Sequence, residues 1–158
     1  MSVPHDRAHL RTEHRNPRTM RLHDLSVAEC VETIQREDRA VLDALDNARP
    51  ALVALLEDAA PRFAAGGRLV YFGAGTSGRL GVLDASEAPP TFQVAPDRVI
   101  GLIAGGDPSL RRSSEGREDD PRGAVDELDA LRLDERDTVI GIASGGTTPY
   151  VRGGLTHL

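Results

Sequence analysis

The sequence predicts an α/β fold: a three-layer sandwich around a parallel sheet, preceded by N-terminal helices. Three observations carry this. Residues 69–72, 98–104 and 138–143 are short apolar runs without polar alternation, the pattern of strands buried on both faces. Each run leaves into a glycine-rich loop, at residues 73–78, 105–107 and 144–149. The stretches between them are long enough for crossovers, which in parallel sheets are right-handed. Ligands of such sheets lie over the carboxyl ends of the strands, so the three loops mark the functional edge.

Composition sets the class. The 158 residues suffice for one domain with a core, and 39% hydrophobic with 28% charged residues is ordinary for a globular protein. A formal charge of -6 argues against nucleic acid as the main partner, because backbone binding needs a basic face. All 19 basic residues are Arg, which removes Lys-based Schiff-base chemistry. Cys30 is the single cysteine, so neither an internal disulfide nor a thiolate metal cluster is available. No apolar run approaches the ~20 residues that span a bilayer, and the N-terminus lacks the apolar core of a signal peptide. The expectation is a cytoplasmic protein with no membrane partner and no metal.

In chain order, a polar arm (1–25) precedes a helical segment (26–66) and the first part of a phosphate-binding α/β domain (67–158). The arm holds His5, His9, His14 and His23 and five arginines. Histidines scattered without cysteine or paired spacing read as a solvated arm, not a metal site. Acids among the arginines argue against a transit peptide. Ser26 and Glu29 form a capping box. Val27, Cys30, Val31, Ile34, Val41, Leu42 and Leu45 then recur at helical spacings, an amphipathic helix to about Asn47 with Cys30 in its apolar stripe. A second helix covers residues 51–65, with Leu52, Leu55, Leu56 and Phe63 inward; Pro61 should kink or split it, and Gly66-Gly67 end it. Beyond the first glycine loop, residues 80–86 read as a short helix that Pro89-Pro90 bring to an end. Residues 108–122 are polar and acid-rich, with Glu115, Glu118, Asp119 and Asp120, and residues 123–133 suit a helix burying Val125, Leu128 and Leu131.

The first loop carries the strongest functional signal. Gly73, Gly75 and Gly78 turn the chain and clear space for a ligand, while Thr76 and Ser77 add hydroxyls where a helix begins. Strand, glycine turn and helix N-terminus together form an anion site, so the expected ligand is phosphorylated. A P-loop reading fails, since Arg79 stands in place of the Lys and Leu80 in place of the magnesium-binding hydroxyl. A dinucleotide fingerprint remains open, with Asp107 as the ribose-binding acid, beside a sugar-phosphate site. Ser144, Thr147 and Thr148 form a second loop of the same chemical kind on the same edge. Two carboxylates complete the constellation. Glu87, held by the prolines at a helix end, is a candidate proton donor with a raised pKa, and Glu118 lies in the acidic loop.

Several of these segments carry a family resemblance. The hexapeptide at 12–17 (TEHRNP), the run at 69–92 (LVYFGAGTSGRLGVLDASEAPPTF), GLIAGG at 101–106, EGREDD at 115–120 and TPYV at 148–151 resemble N-acetylmuramic acid 6-phosphate etherases. These are members of the sugar isomerase (SIS) superfamily, with a Rossmann-like fold. The resemblance implies a lyase that cleaves the D-lactyl ether of a phosphorylated amino sugar without metal or organic cofactor, working as a homodimer. It matches Glu87 to the acid that protonates departing lactate and Glu118 to the base at C2. Gly75, Thr76, Ser77 and Gly78 match the first phosphate loop. Two positions depart from the family pattern: Gly145 and Thr147 replace a Ser and an Arg of the second loop, and Arg117 stands where a small residue is usual. Family members run to nearly twice this length, so the expectation is a C-terminally truncated chain, its sheet incomplete beside residues 139–143, with weak or no activity alone. A non-catalytic phosphosugar sensor of the glucokinase-regulatory-protein type is the alternative.

Overall fold

A computed structural model describes residues 10–114 and 116–158. His5, His9 and Glu115, and with them part of the expected arm, lie outside the described residues. The chain separates into two compact units, Met1–Glu57 and Asp58–Leu158, with the boundary inside helix α1 (Val27–Ala64).

In the first unit, 3-10 turns at Arg11–Glu13, Pro17–Thr19 and Leu22–Asp24 lead into α1. The arm is therefore folded where described, and Glu37 organises it. Its carboxylate accepts hydrogen bonds from Asn16 Nδ2 (2.5 Å), Arg18 Nε (2.6 Å) and Arg18 NH2 (2.7 Å), which lowers its pKa to about 2. The capping box forms as expected: Ser26 N–H and Oγ both donate to Glu29 Oε2, at 2.8 and 2.6 Å. The two expected helices are one. Helix α1 runs 38 residues, its helical assignment unbroken at Pro50 and Pro61. Nor does it turn its apolar stripe inward: no residue of α1 is buried, and Cys30 is only half-buried, its thiol donating to Leu22 O (3.3 Å).

The second unit is built on three parallel strands, β1 (Leu69–Gly73), β2 (Val99–Ile103) and β3 (Thr138–Ile142), in the order β2-β1-β3. Gly73 pairs with Ile103 on one side and Ile142 on the other, so the three strands end level and their loops emerge side by side. Helix α2 (Gly75–Phe92) covers one face of the sheet, and α5 (Pro149–His157) the other. Alternate residues of β1 show this: a Cβ on Gly81 of α2 would meet Tyr71 Cβ at 2.8 Å, and one on Gly154 of α5 would meet the Phe72 ring at 2.5 Å. β1 is thus the switch point of the sheet, and β3 forms one edge.

Three expectations for this unit need correction. Helix α2 does not stop at residue 86 but passes through Pro89 and Pro90 and ends on Gln93, whose left-handed φ of 55° lets its N–H bond Pro89 O (2.9 Å). A proline inside a helix costs about 3 kcal/mol in isolation. Here Ala85 and Ala88 pack on Val99 with Phe63, Leu69 and Tyr71 around them, and that packing holds the last turn. The acid-rich stretch contains a one-turn helix, α3 (Pro108–Arg111), whose carbonyls at Ser109 and Leu110 accept from Arg79 NH2 (2.6 Å) and Nε (3.1 Å). The helix expected over 123–133 is shorter, α4 (Val125–Ala130).

Arg68 and Asp137 join the starts of β1 and β3. The Asp137 side chain is 3% exposed and takes Arg68 NH2 at 2.5 Å, Arg68 N at 2.7 Å and Asp134 N at 3.0 Å. The Arg68 side chain is the leading cause that lowers the Asp137 pKa from 3.8 to about 2. A depressed folded pKa contributes stability that is full above the unfolded value and drains as pH falls from about 4 to 2. Urea unfolding of Asp137→Asn should therefore show a deficit of about 2 kcal/mol at pH 7 that shrinks below pH 4.

Candidate functional site

The first loop has the geometry of an anion site. Ala74 enters α2 extended, with φ -115° and ψ 152°, and no side chain caps the helix. The N–H groups of Gly75, Thr76 and Ser77 precede the first intrahelical bond, from Gly78 N–H to Ala74 O (3.3 Å), so the positive end of an 18-residue helix is uncapped. Gly75 adopts φ +56°, and a Cβ there would meet nothing within 4 Å, so the space before the loop is open. Thr76 is exposed and Ser77 half-buried. Gly78 serves packing instead: a Cβ there would lie 2.5 Å from Gly73 O and 2.7 Å from Ile103 Cγ1.

The second loop stands beside the first, at the end of β3. Ser144 is exposed, Thr147 and Thr148 half-buried, and Gly146 takes φ +67° with open space around it. Its helix has fewer N–H groups to offer than α2. Pro149 has none, and Tyr150 N–H donates to Glu118 O (3.0 Å). That bond fixes the acidic loop: Glu118, with its side chain exposed, is tied to the start of α5 at the loop edge of the sheet.

Glu87 lies elsewhere. It is exposed, twelve residues after Gly75 on the same helix, about 18 Å along the axis. Its neighbours Ala85 and Ala88 pack beside Val99 and Leu69, which begin β2 and β1. It therefore stands toward the edge of the sheet opposite the loops, inside the helix and not at a proline-made end. Within one chain the structure brings Thr76, Ser77, the second loop and Glu118 to one edge, and does not bring Glu87 there.

An open cleft of about 310 Å³ on that edge is lined by Gly105, Gly106, Arg117, Asp120, Gly123, Glu127 and Tyr150. Glu127 was not singled out in the sequence, and Tyr150 only within the TPYV motif at 148–151. Tyr150 is 1% exposed, its ring centroid 6.0 Å from that of Phe72, and its hydroxyl donates to Glu127 Oε2 (3.3 Å). Burial pushes the Glu127 carboxyl above its ordinary range, the Tyr150 hydrogen bond pulls it back, and the Asp107 charge raises it again. Tyr150→Phe should therefore move the Glu127 titration higher still, read by carbon NMR of the carboxyl. For Glu127 the signal in the sequence was its place one residue before Leu128, which faces the core.

The family model described as the glucokinase regulatory protein N-terminal SIS domain matches residues 51–158. A protein of Synechococcus sp. (strain CC9902) named N-acetylmuramic acid 6-phosphate etherase is 51% identical over 152 residues, covering 96% of this chain and 48% of the relative. One of the same name from Gloeobacter violaceus is 51% identical over 152 residues, 96% of this chain and 50% of the relative. The Staphylococcus epidermidis protein so named is 45% identical over 149 residues, 94% of this chain and 50% of the relative. The chain spans about half the length of the curated relatives it matches.

Proposed function

The chain belongs to the family of the glucokinase regulatory protein N-terminal SIS domain, and from that premise we propose that it acts as an N-acetylmuramic acid 6-phosphate etherase. The reaction cleaves the D-lactyl ether of that sugar to give N-acetylglucosamine 6-phosphate and D-lactate. The observation that carries the reading is the uncapped, open start of α2, level with the Glu118 loop. The phosphate takes the N–H groups of residues 75–77 and the hydroxyls of Thr76 and Ser77, with Ser144, Thr147 and Thr148 on the facing side. With the sugar ring open, the C1 aldehyde acidifies the C2 proton. Glu118 removes that proton, the C3–O bond breaks, and the departing lactate oxygen takes a proton from an acid. Water then adds across the C2–C3 double bond, restoring hydrogen at C2 and placing hydroxyl at C3. The substrate's own carbonyl stabilises the carbanion, so the reading needs no cofactor. The setting is cytoplasmic and the assembly a homodimer.

Two carboxyls compete for the acid's role. Glu87 holds it by resemblance, and its place far along α2 means that it would have to reach the sugar from a second copy. Glu127 is the carboxyl that burial keeps protonated to higher pH, in the cleft at the loop edge. Glu87→Gln and Glu127→Gln separate them, because loss of the acid stops lactate release while exchange of the C2 hydrogen with heavy water continues. The variant that keeps exchange and loses lactate identifies the acid. If neither variant changes lactate release, the mechanism is wrong.

The family match also favours a second reading, a phosphosugar-binding regulator without chemistry. It is distinguished by tight N-acetylglucosamine 6-phosphate binding with no lactate release and no C2 exchange.

A further inference from the structure

We propose that Arg117 recognises the lactyl carboxylate of the substrate, and so sets a preference for a sugar phosphate that carries this acid over one that lacks it. The inference rests on the etherase reading, which gives the ligand two anionic ends, the 6-phosphate and the carboxylate of the lactyl ether. The phosphate takes the start of α2. The carboxylate, brought close to Glu118 by the chemistry at C2 and C3, meets like charge there and needs a cation of its own.

The cleft on the loop edge supplies one. Arg117 is the one cation among the described residues that line it, beside the carboxyls of Asp120 and Glu127. Its side chain is exposed and makes no ion pair or hydrogen bond with another described residue. Arg18, Arg68 and Arg136, by contrast, are each committed to a carboxylate, and Arg79 and Arg98 to backbone carbonyls. A free guanidinium presents a planar fork that matches a carboxylate with two parallel hydrogen bonds. The backbone beneath it is anchored on both sides. Arg117 N–H donates to Ser114 O (3.3 Å), and one residue on, Glu118 O accepts from Tyr150 N–H (3.0 Å). Successive residues therefore bring a cation to the cleft and the proposed base to the same edge, and the lactyl carboxyl likewise lies only a few bonds from C2.

The charge of the cleft selects between the two ends of the ligand. Asp120 and Glu127 beside a single guanidinium disfavour a doubly charged phosphate, whereas one carboxylate is matched by one cation. Burial keeps the Glu127 carboxyl protonated to higher pH than usual, so it adds a donor there in place of a second repelling charge. The cleft also has room. Its 310 Å³ falls at the lower end of small-ligand sites, about 300–1,000 Å³. Gly106 holds a φ of +68°, and a Cβ on it would meet only Pro108 Cδ, at 3.9 Å, so that wall leaves space for a sugar.

The test is calorimetric titration of the chain with three 1-deoxy sugars, which cannot open to the aldehyde and so are not consumed. They are the 1-deoxy forms of N-acetylglucosamine 6-phosphate, of N-acetylmuramic acid 6-phosphate, and of the latter with its lactyl carboxyl converted to the amide. The acid should bind about tenfold more tightly than the amide, and the difference should shrink as salt is raised. Arg117→Met should lose that preference while still binding the N-acetylglucosamine derivative. Arg117 is exposed, so its replacement removes no packing, and the comparison of acid with amide needs no variant at all. Equal affinity for acid and amide overturns the proposal, and continued binding of the N-acetylglucosamine derivative then leaves the etherase reading standing. A preference that survives Arg117→Met gives the carboxylate to another cation and also overturns it. If none of the three sugars binds, the phosphate site and this inference fall together.

Discussion

Ser77→Asp is expected to abolish binding of N-acetylglucosamine 6-phosphate while leaving the fold as stable as before or slightly more so. Ser77 is the third residue of α2, in the uncapped first turn. A carboxylate there favours the positive end of the helix by about 0.3–1 kcal/mol. The same carboxylate occupies the charge that a phosphate would occupy, repels it and competes for its N–H donors. A hydrogen bond to a charged group is worth about 1.5–3 kcal/mol, so losing two of them weakens binding about 100-fold or more. Calorimetric titration measures the affinity and thermal unfolding the stability. Opposite signs for the two are the signature of an anion site at a helix start. An unchanged affinity would place the phosphate elsewhere. Titrating NADH in parallel addresses the dinucleotide alternative, which predicts cofactor binding that the phosphosugar does not displace.

Glu118→Gln is expected to lower lactate release by about 10²–10⁴-fold and to remove C2 hydrogen exchange with it, while phosphosugar affinity stays within about twofold. The substitution keeps the backbone bond from Tyr150 N–H to Glu118 O, so the loop remains attached to α5 and only the proton acceptor is lost. The measurement is made on a full-length relative carrying the matched change. Loss of affinity together with exchange would make Glu118 a binding residue and not the base.

The strands, their parallel direction and the glycine loops were legible in the chain because a strand covered on both faces must be apolar throughout. The glycines at 73 and 75 marked the turn for a comparable reason, since close approach and a positive φ exclude most side chains. The capping box at Ser26 and Glu29 was equally legible, being local chemistry over four residues. The prolines misled. Pro61 reads as a kink or a split and Pro89-Pro90 as a helix end, yet α1 and α2 continue through all three. Propensity weighs one residue, whereas the burial of Ala85 and Ala88 against Val99 holds a whole turn.

The sequence by itself determined which residues form the core strands, where the chain turns, and that a helix opens at the glycine turn of residues 73–78, because these depend on neighbours a few positions apart. Only the tertiary structure decided which carboxyls share the loop edge. Glu118 arrives there through a bond to Tyr150, 32 positions away, and Glu127 through packing of Leu128, while Glu87 is carried off by the length of its own helix. Distance in space between such groups is set by strand order and helix length, which no local pattern encodes.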